Sequence, residues 1–559
     1  MSDISVTTTA HGKLRLRPRE TVSMHLKDGT RLDADVYRPD HPGLFPVLLQ
    51  RQAYGRQIAC SICYAHPSWY AAHGYVVVVQ DVRGRGTSEG VFRPGEAEIA
   101  DGAEAVEWAA RLEGSNGDVG MYGFSYQAYN QLLAAAGDCP SLKAIAPAMG
   151  PWDAGRTWAY ENGALRMKQM IGWGIQITAE AARRAGDEEA YGALMAASAN
   201  LPLGGPIAAM PALLAKYRNY SHVMDWLETP SGSPYWSTIS PSAHATRLAD
   251  RRLPALFIGG WFDTHLTSTF EAYKALSANA HPLTRLIVGP WIHFPWVSTV
   301  GQVDFGPDAG RDMDDEHIRF FDAALKAKRD GGKDTAVEFF DMGSKSWRKF
   351  SSLPIGCKDF HLSGTGRASI DVKDGQLSAQ PTPIEGQEYI VHDPWRAAPV
   401  TGGCYGVPNG PVDRRVTDER GDVATFTTAP FTDDLLLAGE PDIELHVTCD
   451  WPSFDLSCTL SRVTVDRKVL QISSGYAHFR SAPTGPCRLQ LSATCVTLSK
   501  GERLRLSIAA ADYPAHPVNP GTGEDSVSTP KTHAVITTIT IGYGPLKKSI
   551  LRLPAIEAA

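Results

Sequence analysis

The first regular pattern along the chain is a two-residue alternation. In "TVSMHLKDGTRLDADVY", Val22, Met24 and Leu26 alternate with polar residues, Asp28-Gly29 interrupts, and Leu32, Ala34 and Val36 alternate again, which predicts a β-hairpin. The pattern then changes to continuous apolar runs, "FPVLLQ" from Phe45 and "GYVVVVQD" from Gly74, separated by enough chain for a crossover helix. Runs without alternation suit strands covered on both faces, as in a parallel sheet. "AEIADGAEAVEWAARLE" reads as an amphipathic helix, "VGMY" as a strand, the segment after Ser125 as a helix and "LKAIAPAM" as a further strand. This alternation of β and α elements predicts a doubly wound α/β domain over residues 1–151.

Between residues 152 and 245 strong strand signals disappear. "ALRMKQMIGWGIQITAEAARRA" and "GPIAAMPALLAKYRNY" have helical spacing, so this region reads as a helical insertion. "LPALFIGGWFD", the helix "STFEAYKALSAN" and "TRLIVGPWIH" restore the α/β pattern over 246–351, which closes with the helix "DEHIRFFDAALKAK". From 352 to 559 the period returns to two. Ile443, Leu445 and Val447 alternate in "DIELHVT", and Leu504, Leu506 and Ile508 in "ERLRLSI", predicting an all-β sandwich.

Composition narrows the class of function. The net charge of -7 arises from mixed signs along the chain, with no basic stripe, which argues against a nucleic-acid partner. The absence of an apolar leader or a run of spanning length predicts no membrane partner and a cytoplasmic location. Nine scattered cysteines fit reduced thiols; Cys60 and Cys63 form one C-x-x-C, but without a second pair they predict neither a metal nor a redox site. No cofactor is expected: Gly84-x-Gly86 after a strand lacks the third glycine of a dinucleotide loop, Glu89 standing in its place. A homo-oligomer is compatible with the composition.

In an open parallel sheet, ligands bind beyond the carboxyl ends of the strands. Ser125 follows "VGMYGF", Asp263 follows "ALFIGGWF", His293 follows "RLIVGPWI" and Tyr54 follows "VLLQRQA". Serine, aspartate and histidine come in the chain order of α/β-hydrolases. A serine hydroxyl is a weak nucleophile until an imidazole takes its proton, and the resulting imidazolium needs an anion beside it. The oxyanion needs preorganised donors, for which the Tyr126 backbone N–H and the Tyr54 phenol are candidates. Competing readings exist. Ser125 also suits a helix N-cap, and Asp81, Asp153, His265 and His281 are alternative acids and bases.

With these residues assembled, the chain resembles the X-Pro dipeptidyl-peptidase and cocaine esterase family of serine hydrolases. The marks are "GYVVVVQDVRGRGTSEG", "GDVGMYGFSYQA", "GGWFD", "GPWIH" and the C-terminal "VHDPWRAAPVTGG" and "DIELHVTCDWPSFDL". The resemblance implies an α/β-hydrolase fold with an inserted helical cap, plus a C-terminal jelly-roll β domain, and an active site where the three meet. It implies Ser125 as nucleophile, Asp263 as acid, His293 as base, and Tyr126 N–H with Tyr54 hydroxyl as oxyanion hole. One departure is Ala128, where the family motif has glycine. The substrate implied is a small ester or amide. Members with an ammonium anchor carry extra carboxylates after the catalytic aspartate, whereas this chain reads Asp263-Thr264-His265-Leu266. Trp152, Trp158, Tyr160, Met167, Met170 and Trp173 of the cap are candidates to line an apolar or aromatic acyl pocket. The alternatives are a peptidase or amide acylase using the same triad, and a noncatalytic binding protein.

Overall fold

The computed structural model describes residues 14–59, 61–203, 211–326 and 336–556. The N-terminal part is built on a ten-stranded sheet: β1 (Glu20–His25), β2 (Arg31–Tyr37), β3 (Phe45–Gln52), β4 (Val76–Asp81), β5 (Ser115–Phe124), β6 (Leu142–Ala148), β7 (Leu256–Phe262), β8 (Arg285–Ile292), β9 (Val337–Asp341) and β10 (Ser346–Phe350). The spatial order is β1-β2-β4-β3-β5-β6-β7-β8-β9-β10. From β4 through β9 each neighbouring pair is parallel. The predicted hairpin pairs Val22 with Ala34 and Met24 with Leu32, so its apolar residues share one face. On β4, Val76 and Val78 face one hydrophobic core while Val77 and Val79 face another, which is why its sequence shows no alternation.

Helices α1 (Glu98–Ala110) and α2 (Tyr126–Ala136) follow β4 and β5. The 152–245 segment carries α3 (Met167–Ala185), α4 (Glu188–Ala199) and several shorter helices around its own hydrophobic cluster. Here the helix expected from Ala164 starts later. Tyr160–Glu161 and Ala164–Leu165 pair as a short hairpin instead, because Asn162-Gly163, both at positive φ (43° and 85°), make a tight two-residue turn. The segment "GPIAAM", residues 205–210, lies outside the described residues; beyond it the chain forms a short helix, Ala212–Lys216. α5 (Leu266–Ser277) and α6 (Met313–Leu325) complete the α/β layers.

Beyond Lys358 the chain is all-β, with an eleven-stranded and a three-stranded sheet. The alternating residues Ile443, Leu445, Val447, Leu504, Leu506 and Ile508 are buried in the hydrophobic core. This domain grips the cap hairpin: Asn162 Nδ2 donates to the Tyr476 carbonyl at 2.9 Å and Tyr476 N–H to Glu161 at 3.1 Å. Among the described residues no helix is long and apolar enough to cross a membrane. Cys63 is a free thiol; Cys60, the other half of the C-x-x-C, lies outside the described residues.

Candidate active site

β5 ends at Phe124 and α2 starts at Tyr126, so a single residue makes the turn between them. Ser125 makes it at φ 61° and ψ -121°, a conformation that is strained for a residue with a side chain. Its N–H donates to the Ala148 carbonyl at 2.9 Å, which ties the turn to the end of β6. The hydroxyl makes no capping bond to α2. It meets His293 Nε2 at 3.0 Å instead, so the N-cap role does not account for this serine. The turn is tight enough to need small neighbours. A Cβ on Gly123 (φ 147°) would stand 2.4 Å from the Gln127 Cβ. Ala128 is accommodated from across the turn, because Gly150, whose own Cβ would stand 2.5 Å from that of Ala128, leaves the space free.

Asp263 follows β7 directly and His293 follows β8 directly, on strands that are sheet neighbours. His293 Nδ1 lies 2.7 Å from Asp263 Oδ1. The carboxylate is fully covered and the imidazole about 28% exposed at its side chain, so the base faces the cleft while its partner is shielded. The Tyr126 N–H is the first amide of α2, one of those that a helix leaves without an internal acceptor. The Tyr126 ring points the other way: buried, with its hydroxyl donating to Glu98 at 2.8 Å, and Glu98 paired with buried Arg51. Tyr54 hangs just beyond β3, its hydroxyl in hydrogen-bonding reach of Ser125 and accepting the Trp173 indole N–H at 3.2 Å. Burial pushes the Tyr54 phenol above its usual range, keeping it a donor at neutral pH.

These groups open into a cleft of about 400 Å³. Its walls come from three parts of the chain: the sheet ends, α3 of the cap, and Cys404, Tyr405 and Asn409 of the β domain.

Residues 28–295 match the family model of X-Pro dipeptidyl-peptidases (S15 family), and residues 332–545 match that of the X-Pro dipeptidyl-peptidase C-terminal non-catalytic domain. The chain belongs to the S15 family of serine hydrolases. It is 28% identical over 570 residues to the cocaine esterase of Rhodococcus sp. (strain MB1 Bresler), covering 96% of this chain and 98% of that one. In fold it is similar to an aminopeptidase from a marine-sediment Thaumarchaeota archaeon, with a TM-score of 0.78 at 20% identity over 99% and 98% of the two chains. An α-amino acid ester hydrolase has a TM-score of 0.75 at 21% identity, over 99% of each chain.

Within this S15 chain the cap candidates divide. Trp158 and Trp173 line the cleft, their rings 4.9 Å apart. Met167 and Met170 do not; they pack in the cap's own core, because the face of α3 turned to the cleft carries Gln169, Gly172, Trp173 and Gln176 at spacings of three and four. Tyr160 is likewise in that core and donates to the Thr229 carbonyl at 2.7 Å. Trp152 is buried in the main core and is also absent from the lining. The polar members of the α3 stripe were hidden in the sequence by the stronger signal of the neighbouring methionines.

Three of the four alternative acids and bases have structural work elsewhere. Asp81 is buried in an ion pair with Arg56 and accepts the Arg56 N–H at 2.6 Å; Asp153 accepts the Arg156 N–H at 2.8 Å; His281 accepts the Leu283 N–H at 3.2 Å. His265 does reach the cleft, its ring 5.3 Å from that of His293. Burial, with the nearby His293 and Arg166, holds it well below the ordinary histidine range, so it is neutral and unsuited to taking a proton.

Proposed function

We propose that this protein hydrolyses carboxylic esters through an acyl-enzyme on Ser125. The observation that carries the reading is the Ser125 hydroxyl, held on a strained turn at 3.0 Å from His293 Nε2 while it caps nothing. As Ser125 Oγ attacks the ester carbonyl, its proton passes to His293 Nε2. Asp263, 2.7 Å from Nδ1, keeps the other ring proton in place and stabilises the imidazolium without taking its proton. The negative charge on the carbonyl oxygen is met by the Tyr126 N–H and the Tyr54 hydroxyl. Collapse of the tetrahedral intermediate breaks the C–O bond to the alcohol, which leaves with the proton from His293. Water, deprotonated by the same imidazole, then attacks the acyl carbon and releases the acid and Ser125.

Trp158 and Trp173 beside the nucleophile favour an apolar or aromatic acyl group. No Asp or Glu occurs among the described lining residues. A substrate with a free amino group, as required by a dipeptidyl-peptidase, has no carboxylate to hold it there, which favours the ester reading over the peptidase one. Replacement of Ser125 by alanine should abolish turnover of an activated aryl ester while leaving the protein folded. Turnover retained in that variant would remove Ser125 from the chemistry.

A further inference from the structure

Among the described residues lining the cleft, Lys168 is the one with a permanent charge. It is the second residue of α3 and is half-buried. Its Nζ donates to the Tyr405 carbonyl, which occupies one of its three N–H groups. No carboxylate forms an ion pair with it among the described residues, and burial alone draws its pKa below the usual lysine value. The neighbouring cation, Arg166, is differently placed. It is buried behind the cleft, paired with Glu161 at 3.1 Å and bonded to the carbonyls of Thr157 and Thr264.

A partly desolvated ammonium lacking an anion forgoes the Coulombic attraction that ordinarily offsets its loss of water. An incoming carboxylate supplies that attraction in a charge-assisted hydrogen bond, and an incoming ammonium is repelled. The surroundings add neutral amides on the same helix face: Gln169, whose Oε1 accepts the Tyr405 hydroxyl at 3.1 Å and whose Nε2 makes long contacts to Thr264 Oγ1 at 3.4 Å and His265 Nε2 at 3.3 Å, and Gln176 two turns further along. We propose that the cleft selects ester or amide substrates that carry a carboxylate, with Lys168 as its binding residue. This rests on the reading of Ser125 as nucleophile.

The test uses two matched series of substrates. Phenyl benzoates bearing a 4-carboxylate, 4-carboxamide or 4-trimethylammonium group vary the acyl side, and phenyl acetates bearing the same groups on the phenol vary the leaving side. Each kcat/KM is divided by the hydroxide-catalysed rate to remove intrinsic reactivity. The carboxylate should exceed the carboxamide by about tenfold in at least one series, and the advantage should shrink with added salt. Lys168→Met should bring the ratio to about one, Lys168→Arg should keep most of it and so control for folding, and Lys168→Glu should turn the preference toward the ammonium. A carboxylate-to-carboxamide ratio of about one in both series, or a ratio untouched by Lys168→Met, would overturn the proposal while leaving the Ser125 chemistry standing. Failure to turn over any member, the carboxamides included, would overturn both.

Discussion

Gly150 is where packing and catalysis meet most tightly. A methyl group there would stand 2.5 Å from the Ala128 Cβ and 3.1 Å from both the Ser125 carbonyl oxygen and the Tyr129 nitrogen. Carbon atoms pack at about 3.5–4.0 Å, so Gly150→Ala is about 1 Å too close to a neighbour that has no flexible end to swing aside. The first turn of α2 must retreat, and Ser125 begins that turn. Overpacking of this kind costs about 1–3 kcal/mol of stability, and displacement of a nucleophile by about 1 Å costs about a hundredfold in turnover. Ala128→Gly in the same protein removes the worst contact but leaves the two at 3.1 Å, and it adds about 1 kcal/mol of helix destabilisation. Rescue should therefore be substantial and incomplete. The assay is a double-mutant cycle over Gly150→Ala, Ala128→Gly and their combination, read by the rate of fluorophosphonate labelling of Ser125 and by denaturant unfolding. Wild-type labelling by Gly150→Ala, or a double variant no faster than Gly150→Ala alone, would refute the claim that Gly150 makes the room for Ala128.

Tyr54→Phe should lower kcat/KM by about 10²–10³ through loss of one oxyanion donor, with Trp173→Phe as the control for the indole N–H left without its acceptor at 3.2 Å. A Tyr54→Phe rate close to wild type would place the second donor elsewhere. Met170→Ala should destabilise the cap by about 2–5 kcal/mol in denaturant unfolding and leave the ratio of aromatic to acetyl ester turnover unchanged, whereas Trp158→Ala should reduce that ratio. His317, held by burial at about 3 against an ordinary 6.5, binds its proton in the unfolded chain but not in the native one between those values. Its contribution therefore makes stability fall as pH drops from 6.5 toward 3, and His317→Phe should reduce proton uptake on unfolding at about pH 5 by about one, seen in the slope of unfolding free energy against pH.

The parts of the fold legible in the sequence were those where one local pattern dictated one outcome. The two-sided burial of Val76 to Val79 left a continuous apolar run, and the ends of such runs located Ser125, Asp263 and His293 before any contact between them was visible. The hairpin around Asn162-Gly163 was masked because a helical pattern resumes immediately after it. The cleft walls were less legible for a different reason. Met170 and Trp173 lie on one helix, and which of them faces the cleft depends on where the cap docks, a tertiary property. Tyr405 and Asn409 line the same cleft as Ser125 only because the β domain packs against α3 of the cap, where Tyr405 bonds to Lys168 and Gln169, and nothing local in "GGCYGVPNG" announces it.

The central claim is that Ser125 becomes covalently acylated during turnover. Mass spectrometry of enzyme quenched in mid-turnover of a slow aryl ester tests it directly, followed by peptide mapping. The account predicts one added acyl mass, carried by the peptide that contains Ser125 and absent from Ser125→Ala. An acyl group mapped to another residue, or steady turnover with no covalent adduct under conditions where deacylation is made rate-limiting, would contradict it.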